Sequence, residues 1–489
     1  MRRFLQYING VFEEGMGAFE SLDPASGQPW AVMPAAGPQD VERAVRAAHE
    51  ALQAPAWGGL NASARGRLLR RLGDLLGEAA PRLAALETRD TGKIIRETSG
   101  QIAYIAQYYH YYAGLADKLA GQHVPVDKPD MEVFLRREPI GVVAALVPWN
   151  SQLFLAAVKL GPALAAGCTV VLKAAEDAPA PLLEFARLVH EAGFPPGVVN
   201  IITGTGADCG RVLTSHPLVA RVAFTGGPET ARHIVRNTAE NLAYATLELG
   251  GKSPVIAFAD ADLEHVSNAV IAGIFAASGQ SCVAGSRLLV QRPLLAPLLA
   301  RLCEKAGAIR IGAPDDMATQ MGPLATRRQQ ERARMLVRES VEQGAQLLCG
   351  GDVPDGVGGG FYFAPTILFC ERADLPCVRE EFFAPVLSVL AFDTEEEALA
   401  LANDSRFGLA AGVFTRDLAR AHRLVRGIRA GVVWVNTYRA ISPMVPFGGF
   451  GESGLGREGG AEAMLDYTRT KSVWLNLSDA PMPDPFVMR

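Results

Sequence analysis

The sequence predicts an α/β fold of at least two large domains, wound on largely parallel sheets, and three observations carry that prediction. The chain has 489 residues, whereas single cores usually stop growing near about 250 to 300 residues. Short apolar runs alternate with amphipathic helical stretches through most of its length, the strand-helix-strand signature of parallel sheets. Turns bearing glycine or proline close the strongest of those runs, and such turns are where a strand stops.

In chain order, the first helix is expected over 41–54, where Val41, Ala44, Val45, Ala48 and Leu52 recur at helical spacing behind Asp40, read as an N-cap. Two further helices are expected over 63–77 and 81–91. The strand 141–147 ends at Pro148, which lacks an N–H for a ladder and restrains the residue before it. A helix over 153–166, a buried strand over 169–173 and a helix over 180–192 follow. Strands 198–202 and 219–224 each have a glycine two residues past their end. This alternation is a doubly wound region, which places ligands at the carboxyl ends of its strands, where helix N-termini and glycine turns expose N–H groups.

From residue 260 a second α/β block begins, with strands near 288–290 and 386–392, a long helix over 326–343 and the glycine-rich loop 356–360. The tail 479–489, with three prolines, is expected to be extended.

Hydrophobic residues at 49% and charged residues at 20% are ordinary for a packed globular protein. A formal net charge of −5 supplies no general attraction to phosphate backbones or anionic lipid, which argues against nucleic-acid and membrane partners. No apolar run approaches the roughly 20 residues of a spanning helix. Arg2 and Arg3 precede no long apolar stretch, so no secretory signal is expected. The seven cysteines are odd in number and scattered, without a C-x-x-C pair, which suits a reducing compartment, and a cytoplasmic location is expected. No metal ligand is assigned.

Four segments offer chemistry. Phe224-Thr225-Gly226-Gly227-Pro228-Glu229 closes a strand and opens a helix, so that Thr225 and the glycines can meet a phosphate, or form an ordinary turn. A similar glycine run, Gly204 to Gly210, has one residue too many for a dinucleotide fingerprint and reads equally as a plain turn. In Gly279-Gln280-Ser281-Cys282 a cysteine sits among small residues; alone, it is better read as an inert buried thiol. In Leu247-Glu248-Leu249-Gly250-Gly251-Lys252 a carboxylate is enclosed by apolar groups, either a base with a raised pKa or half of a buried pair with Lys252. Val147-Pro148-Trp149-Asn150 puts an amide at a strand end, as an oxyanion donor or a helix cap. Together these supply a nucleophile, a base and an oxyanion donor beside a dinucleotide-type sheet.

In this combination the chain closely resembles the aldehyde dehydrogenase superfamily, from about Tyr7 to Leu475. The matching segments come in the family's order. They are Pro148-Trp149-Asn150, Lys173 with Glu176, Phe224-Thr225-Gly226, Leu247 to Lys252, Gly279 to Cys282, Glu380 to Val386, Pro446 to Phe450, Ser453-Gly454 and Gly456-Arg457-Glu458. The resemblance implies that Cys282 attacks an aldehyde, that Asn150 and the Cys282 N–H hold the oxyanion, and that Glu248 activates the water that hydrolyses the thioester. It marks Lys159 as a further catalytic position. For NAD it implies Trp149, Thr225, Gly226, Gly227 and Leu249 around the cofactor, Lys173 and Glu176 at the adenosine ribose, and Glu381 and Phe383 at the nicotinamide ribose. Glu176 would repel a 2′-phosphate, favouring NAD over NADP. Ala174, Gly227, Ala231 and Ala384 depart from the family's usual proline, serine, glycine and glycine; Gly227 removes a hydroxyl that could have met the pyrophosphate.

The same resemblance implies a Rossmann-type NAD-binding domain (1–128 and 146–250), a catalytic domain (251–453) and a β oligomerisation arm (129–145 and 454–489). The arm's strands are expected at 131–137 and 472–477, and their edges imply a homodimer or homotetramer. Three other readings compete. A CoA-acylating relative would usually lack the base; a binding protein gains nothing from a reactive thiol; a cysteine hydrolase needs a histidine that is not near Cys282 in sequence. The aldehyde itself stays open. Tyr104, Tyr108, Tyr109, Tyr111 and Tyr112 read as core packing or a tunnel lining, Ser151 and Gln152 suggest a more polar or roomier tunnel, and Arg439 is read as meeting a neighbouring acid in preference to a substrate carboxylate.

Overall fold

A computed structural model of the chain describes residues 1–481, Asp484 and Phe486. Most of the tail expected to be extended, residues 482–483, 485 and 487–489, lies outside the described residues.

The first large sheet is built around five parallel strands, Val142–Val147, Thr169–Ala174, Val199–Thr203, Val219–Thr225 and Tyr244–Glu248. Numbered one to five along the chain, they lie in the order 5-4-1-2-3, with antiparallel strands Gly454–Leu455 and Gln6–Ile8, Val11–Glu13 at the two edges. Strand order therefore reverses between Val142–Val147 and Val219–Thr225, opening a crevice beyond their carboxyl ends. Val142–Val147 and Thr169–Ala174 are buried throughout, as both faces of a helix-covered sheet require.

The second sheet has six parallel strands, Thr366–Phe369, Val386–Phe392, Arg287–Gln291, Pro254–Ala257, Ala410–Phe414 and Val432–Val435, with Gln346–Cys349 antiparallel at one edge. A third, antiparallel sheet pairs Thr468–Asn476 with Met131–Pro139 and Gln122–Val124.

Several expectations are corrected. Residues 142–145, expected in the arm, belong to the strand Val142–Val147 at the centre of the first sheet, whereas Gln122–Val124 joins the third, antiparallel sheet. Gly454–Leu455 pairs with Tyr244–Glu248 and so lies in the first sheet as well. The two helices expected over 63–77 and 81–91 are one, Ala62–Thr91, with Pro81 inside it. Its buried stripe of Leu69, Leu72, Leu76, Ala80 and Leu83 runs past the proline, and that burial offsets the roughly 3 kcal/mol an interior proline costs. Asp40 is not the N-cap of the first helix, Pro38–Gln53; Gly37 is, and Asp40 sits one turn in, accepting from the Gly37 and Met16 N–H groups. The helix at 153–166 begins one residue earlier, at Gln152, and the helix at 180–192 runs over Ala180–Ala192.

Candidate active site

The crevice between the two large sheets receives residues from strand ends on one side and from loops on the other. On the strand side, register sets Thr225 beside Glu248 at the ends of their two strands. Glu248 is buried, and neither carboxylate oxygen has a hydrogen-bond partner among the described residues. Burial first, then the charge of Glu458, holds its carboxyl well above the usual range, against the pull of Lys159 and Arg457. The alternative pairing with Lys252 is not formed: that ammonium lies 5.0 Å from the centre of the Phe382 ring, and burial brings its pKa down to about 8.

Lys159, fully buried in the helix Gln152–Ala166, donates to Glu458 at 2.5 Å and to Thr225 Oγ1 at 2.8 Å. Glu458 was quoted within a motif but given no part; 299 positions separate it from Lys159, so nothing local could have joined them.

Cys282 enters from the loop between the helix Leu263–Phe275 and the strand Arg287–Gln291. Three successive left-handed residues lead to it, Ala277 at φ 52°, Ser278 at φ 53° and Gly279 at φ 73°. A side chain at Gly279 would overlap the Ala384 carbonyl, so glycine is required there by space as well as by φ. The strained turn is held from several directions: Ala277 N–H donates to Glu97 at 2.8 Å, Ser278 Oγ to Gly322 O at 2.8 Å, and Ala325 N–H to Gln280 Oε1 at 2.9 Å. Cys282 is half-buried, and its thiol is pushed up to about 12 by burial and by the charges of Glu381 and Glu248, with Arg439 pulling the other way.

Asn150 does not cap the following helix; Ser151 occupies that position. Instead Asn150 Nδ2 reaches across to Gln280 O at 3.0 Å, two residues before Cys282, and its second N–H remains available. Asn150, Thr225, Glu248, Leu249, Cys282 and Glu458 all line one cavity of about 670 Å³.

Farther along the crevice, Lys173 Nζ lies 3.3 Å from Glu176 Oε2 and bonds Ala174 O at 3.1 Å. Gly227 is the N-cap of the helix Pro228–Asn241, and a side chain there would meet nothing within 4 Å. Gly226 N–H is taken by Glu248 O at 3.0 Å and Leu249 N–H by Ser453 O at 3.0 Å, so both glycine turns are held at the strand ends. Trp149 meets Phe383 edge to face at 5.5 Å. Glu381 accepts from Gly251 N–H at 3.0 Å and overlaps the place where a Gly250 side chain would sit; burial raises its pKa to about 7. The set fits a dinucleotide: a carboxylate beside a strand end, an open helix N-terminus at the sheet's reversal point, and a second carboxylate near the cysteine. The run Gly204 to Gly210 is a capped turn, Thr205 Oγ1 accepting from Asp208 N–H at 3.0 Å.

The tyrosines divide. Tyr109 stacks on Phe185 in the core and Tyr112 donates to Gly460 O at 3.1 Å, whereas Tyr108 lines the cavity and packs edge-on against Phe154. Cys370 and Cys377, buried away from the cavity, bring their thiols to 3.4 Å. No helix among the described residues is long and apolar enough to cross a membrane.

A sequence model of the aldehyde dehydrogenase family matches residues 12–473. The chain is 62% identical to the (Z)-2-((N-methylformamido)methylene)-5-hydroxybutyrolactone dehydrogenase of Acinetobacter baylyi, over 100% of both chains. The NAD+ complex of an aldehyde dehydrogenase from Bacillus cereus is similar at a TM-score of 0.95 and 39% identity, covering 98% of this chain and 97% of that one. Betaine aldehyde dehydrogenase from Staphylococcus aureus, in complex with NAD+, is similar at a TM-score of 0.97 and 36% identity, covering 99% and 97%.

Proposed function

The chain belongs to the aldehyde dehydrogenase family, and from that premise we propose that it oxidises an aldehyde to its carboxylic acid with NAD, through a thioester on Cys282. The observation that carries this reading is the convergence of Cys282, Asn150 and an unpartnered, buried Glu248 on one cavity beside the sheet's reversal point.

With a pKa near 12, the Cys282 thiol needs a base to reach the carbonyl as thiolate. Glu248, whose raised pKa makes it a stronger base than an ordinary carboxylate, takes that proton. The free Asn150 N–H and the Cys282 backbone N–H, which has no acceptor among the described residues, hold the oxyanion of the tetrahedral adduct. The chemistry NAD supplies when bound is acceptance of the hydride from that carbon. Glu248, having released its first proton, then orients and deprotonates a water that attacks the thioester, and Cys282 leaves as the thiolate. Lys159 is a positioning residue: it holds Glu458 and Thr225 around Glu248. The free carboxylate oxygens of Glu248 favour hydrolysis over transfer to an external thiol such as CoA.

Lys173 and Glu176 serve the adenosine ribose, Glu381 and Phe383 the nicotinamide ribose, with Trp149, Thr225, Gly226, Gly227 and Leu249 between them. Glu176 favours NAD over NADP. The first sheet is the NAD-binding domain, the second the catalytic domain. The antiparallel sheet is the assembly arm of a cytoplasmic homodimer or homotetramer, because its outer strand Thr468–Asn476 exposes Trp474 and Leu475. The name of the Acinetobacter relative, carried to this chain, points to an aldehyde in equilibrium with a hydroxylactone, whose open form bears a carboxylate.

Stopped-flow NADH absorbance with a panel of aldehydes tests the reading. Cys282→Ala is expected to form no NADH, and Glu248→Gln to form at most one NADH per site, more slowly than the wild type because the thiol has lost its base, followed by turnover slowed about 10²- to 10⁴-fold. NADH from Cys282→Ala at the wild-type rate would overturn it.

A further inference from the structure

We propose that Arg439 is the specificity-determining residue of this site, docking a carboxylate at the far end of a short aldehyde. The proposal rests on the aldehyde-oxidising reading above and reverses the sequence-based preference for a neighbouring acid as its partner.

Two cations, Lys93 and Arg439, line the cavity and a third, Lys159, stands behind Glu458 and Thr225, and their hydrogen-bond inventories separate them. The Lys93 ammonium is buried and has three N–H groups, which meet Glu87 Oε1 at 2.9 Å, Gln101 Oε1 at 2.6 Å and Ser151 Oγ at 3.3 Å. Lys159 is held by Glu458 and Thr225. Arg439 makes a single bond, from Nη1 to Ala272 O at 3.0 Å, and no ion pair among the described residues. Four of its five donors are left in a planar fork that matches a carboxylate. Glu97, an acid that also lines the cavity, accepts from Ala277 N–H and makes no ion pair with Arg439 among the described residues. Much of the remaining lining is apolar, including Phe154, Leu155, Trp434 and Phe447, and of the two cations that line the cavity Arg439 is the one with donors to spare.

Arg439 is also held in place. Its backbone is left-handed, φ 62°, a conformation that L-residues seldom adopt and that recurs where ligands are clamped. On one side Tyr438 donates to Val283 O at 3.0 Å, one residue beyond Cys282. On the other, Trp434 Nε1 donates to Ala440 O at 2.9 Å and Tyr104 to Ile441 O at 3.3 Å. The backbone is therefore fixed relative to the nucleophile while most of the guanidinium stays unspent. Ser151, accepting from Lys93 and Gln101, keeps its own O–H to donate toward the substrate.

The test compares 4-oxobutanoate with its methyl ester, of similar length but uncharged, using wild type, Arg439→Met and Arg439→Lys at saturating NAD. The wild type is expected to prefer the acid by about 100-fold in kcat/KM, and Arg439→Met to lose about 100-fold more on the acid than on the ester, chiefly through KM, any loss of its pull on the Cys282 thiol falling on both alike. Arg439→Lys should fall between, keeping the charge without the fork. Added salt should weaken use of the acid and leave the ester unaffected. Equal wild-type use of acid and ester, or equal losses in Arg439→Met, would overturn the proposal and leave aldehyde oxidation standing. If Arg439→Met does not fold, the wild-type acid-to-ester ratio and its salt dependence decide alone. No NADH from any aldehyde, the ester and propanal included, would remove the aldehyde reading and this proposal together.

Discussion

The two sides of the crevice are built differently. The side proposed to hold NAD is made of strand ends: Thr169–Ala174 delivers Lys173, Val219–Thr225 delivers Thr225, with Gly226 just beyond, and Tyr244–Glu248 delivers Glu248, each strand placed by parallel register with its neighbour. The side proposed to hold the aldehyde is made largely of loops, tied by bonds between distant positions. Asn150 meets Gln280 across 130 residues and Ala277 meets Glu97 across 180, while Lys159 meets Glu458 across 299 where the two sides join. A regular sheet positions its residues by a repeat that neighbouring residues reveal; a loop site is positioned by whichever distant groups satisfy its donors. Damage on the two sides should therefore differ in kind.

The largest effect is expected at the join between them. Lys159→Met leaves Glu458 buried without its cation, and should cost about 3–5 kcal/mol of stability, read as a lowered denaturation midpoint. A midpoint unchanged from wild type would mean that the network does not hold the two sides together. On the substrate side, Asn150→Ala should lower kcat about 10²- to 10³-fold, with NAD binding by fluorescence titration preserved. An equal loss in NAD affinity would erase the distinction between the sides.

Glu248 belongs to both, and its titration can be followed in two ways. The base form exists above its raised pKa, so the hydrolytic rate should climb with pH above the ordinary carboxylate range, a limb absent in Glu248→Gln. Stability should move oppositely. The folded state binds this proton more tightly than the unfolded state, so stability is full below the unfolded pKa and declines as pH rises through the folded one. Glu248→Gln should accordingly melt above the wild type at pH 8 and approach it near pH 5, by calorimetry. The smallest effect belongs to the cofactor side, where Glu176→Ala should improve use of NADP about tenfold at little cost to the fold, since Glu176 is half-exposed.

Several residues of the proposed site were visible locally. Cys282 among small residues, Glu248 enclosed by apolar neighbours and Asn150 after a strand-ending proline all stood out one segment at a time, and their order along the chain matched a family. Others were not. Glu458 looked like one acid in a glycine-rich run, and its part depends on a lysine on a helix far back in the chain. Arg439 was read toward a neighbouring acid because sequence does not say which donors are already spent. Pro81 suggested two helices because local propensity weighs the missing hydrogen bond and not the burial that offsets it.

The sequence by itself determined what its short-range patterns encode: alternating strands and helices, the turns where they stop, the chemical types of the reacting groups and the family they resemble. Only the tertiary structure decided which groups are desolvated, which are already hydrogen-bonded and which are left over. It took Glu248 away from Lys252 and set it near Glu458 without a hydrogen-bond partner, gave Lys93 three acceptors, and left Arg439 with four free donors. Burial and partnership are properties of the space around a side chain, and residues far apart in the chain fill that space.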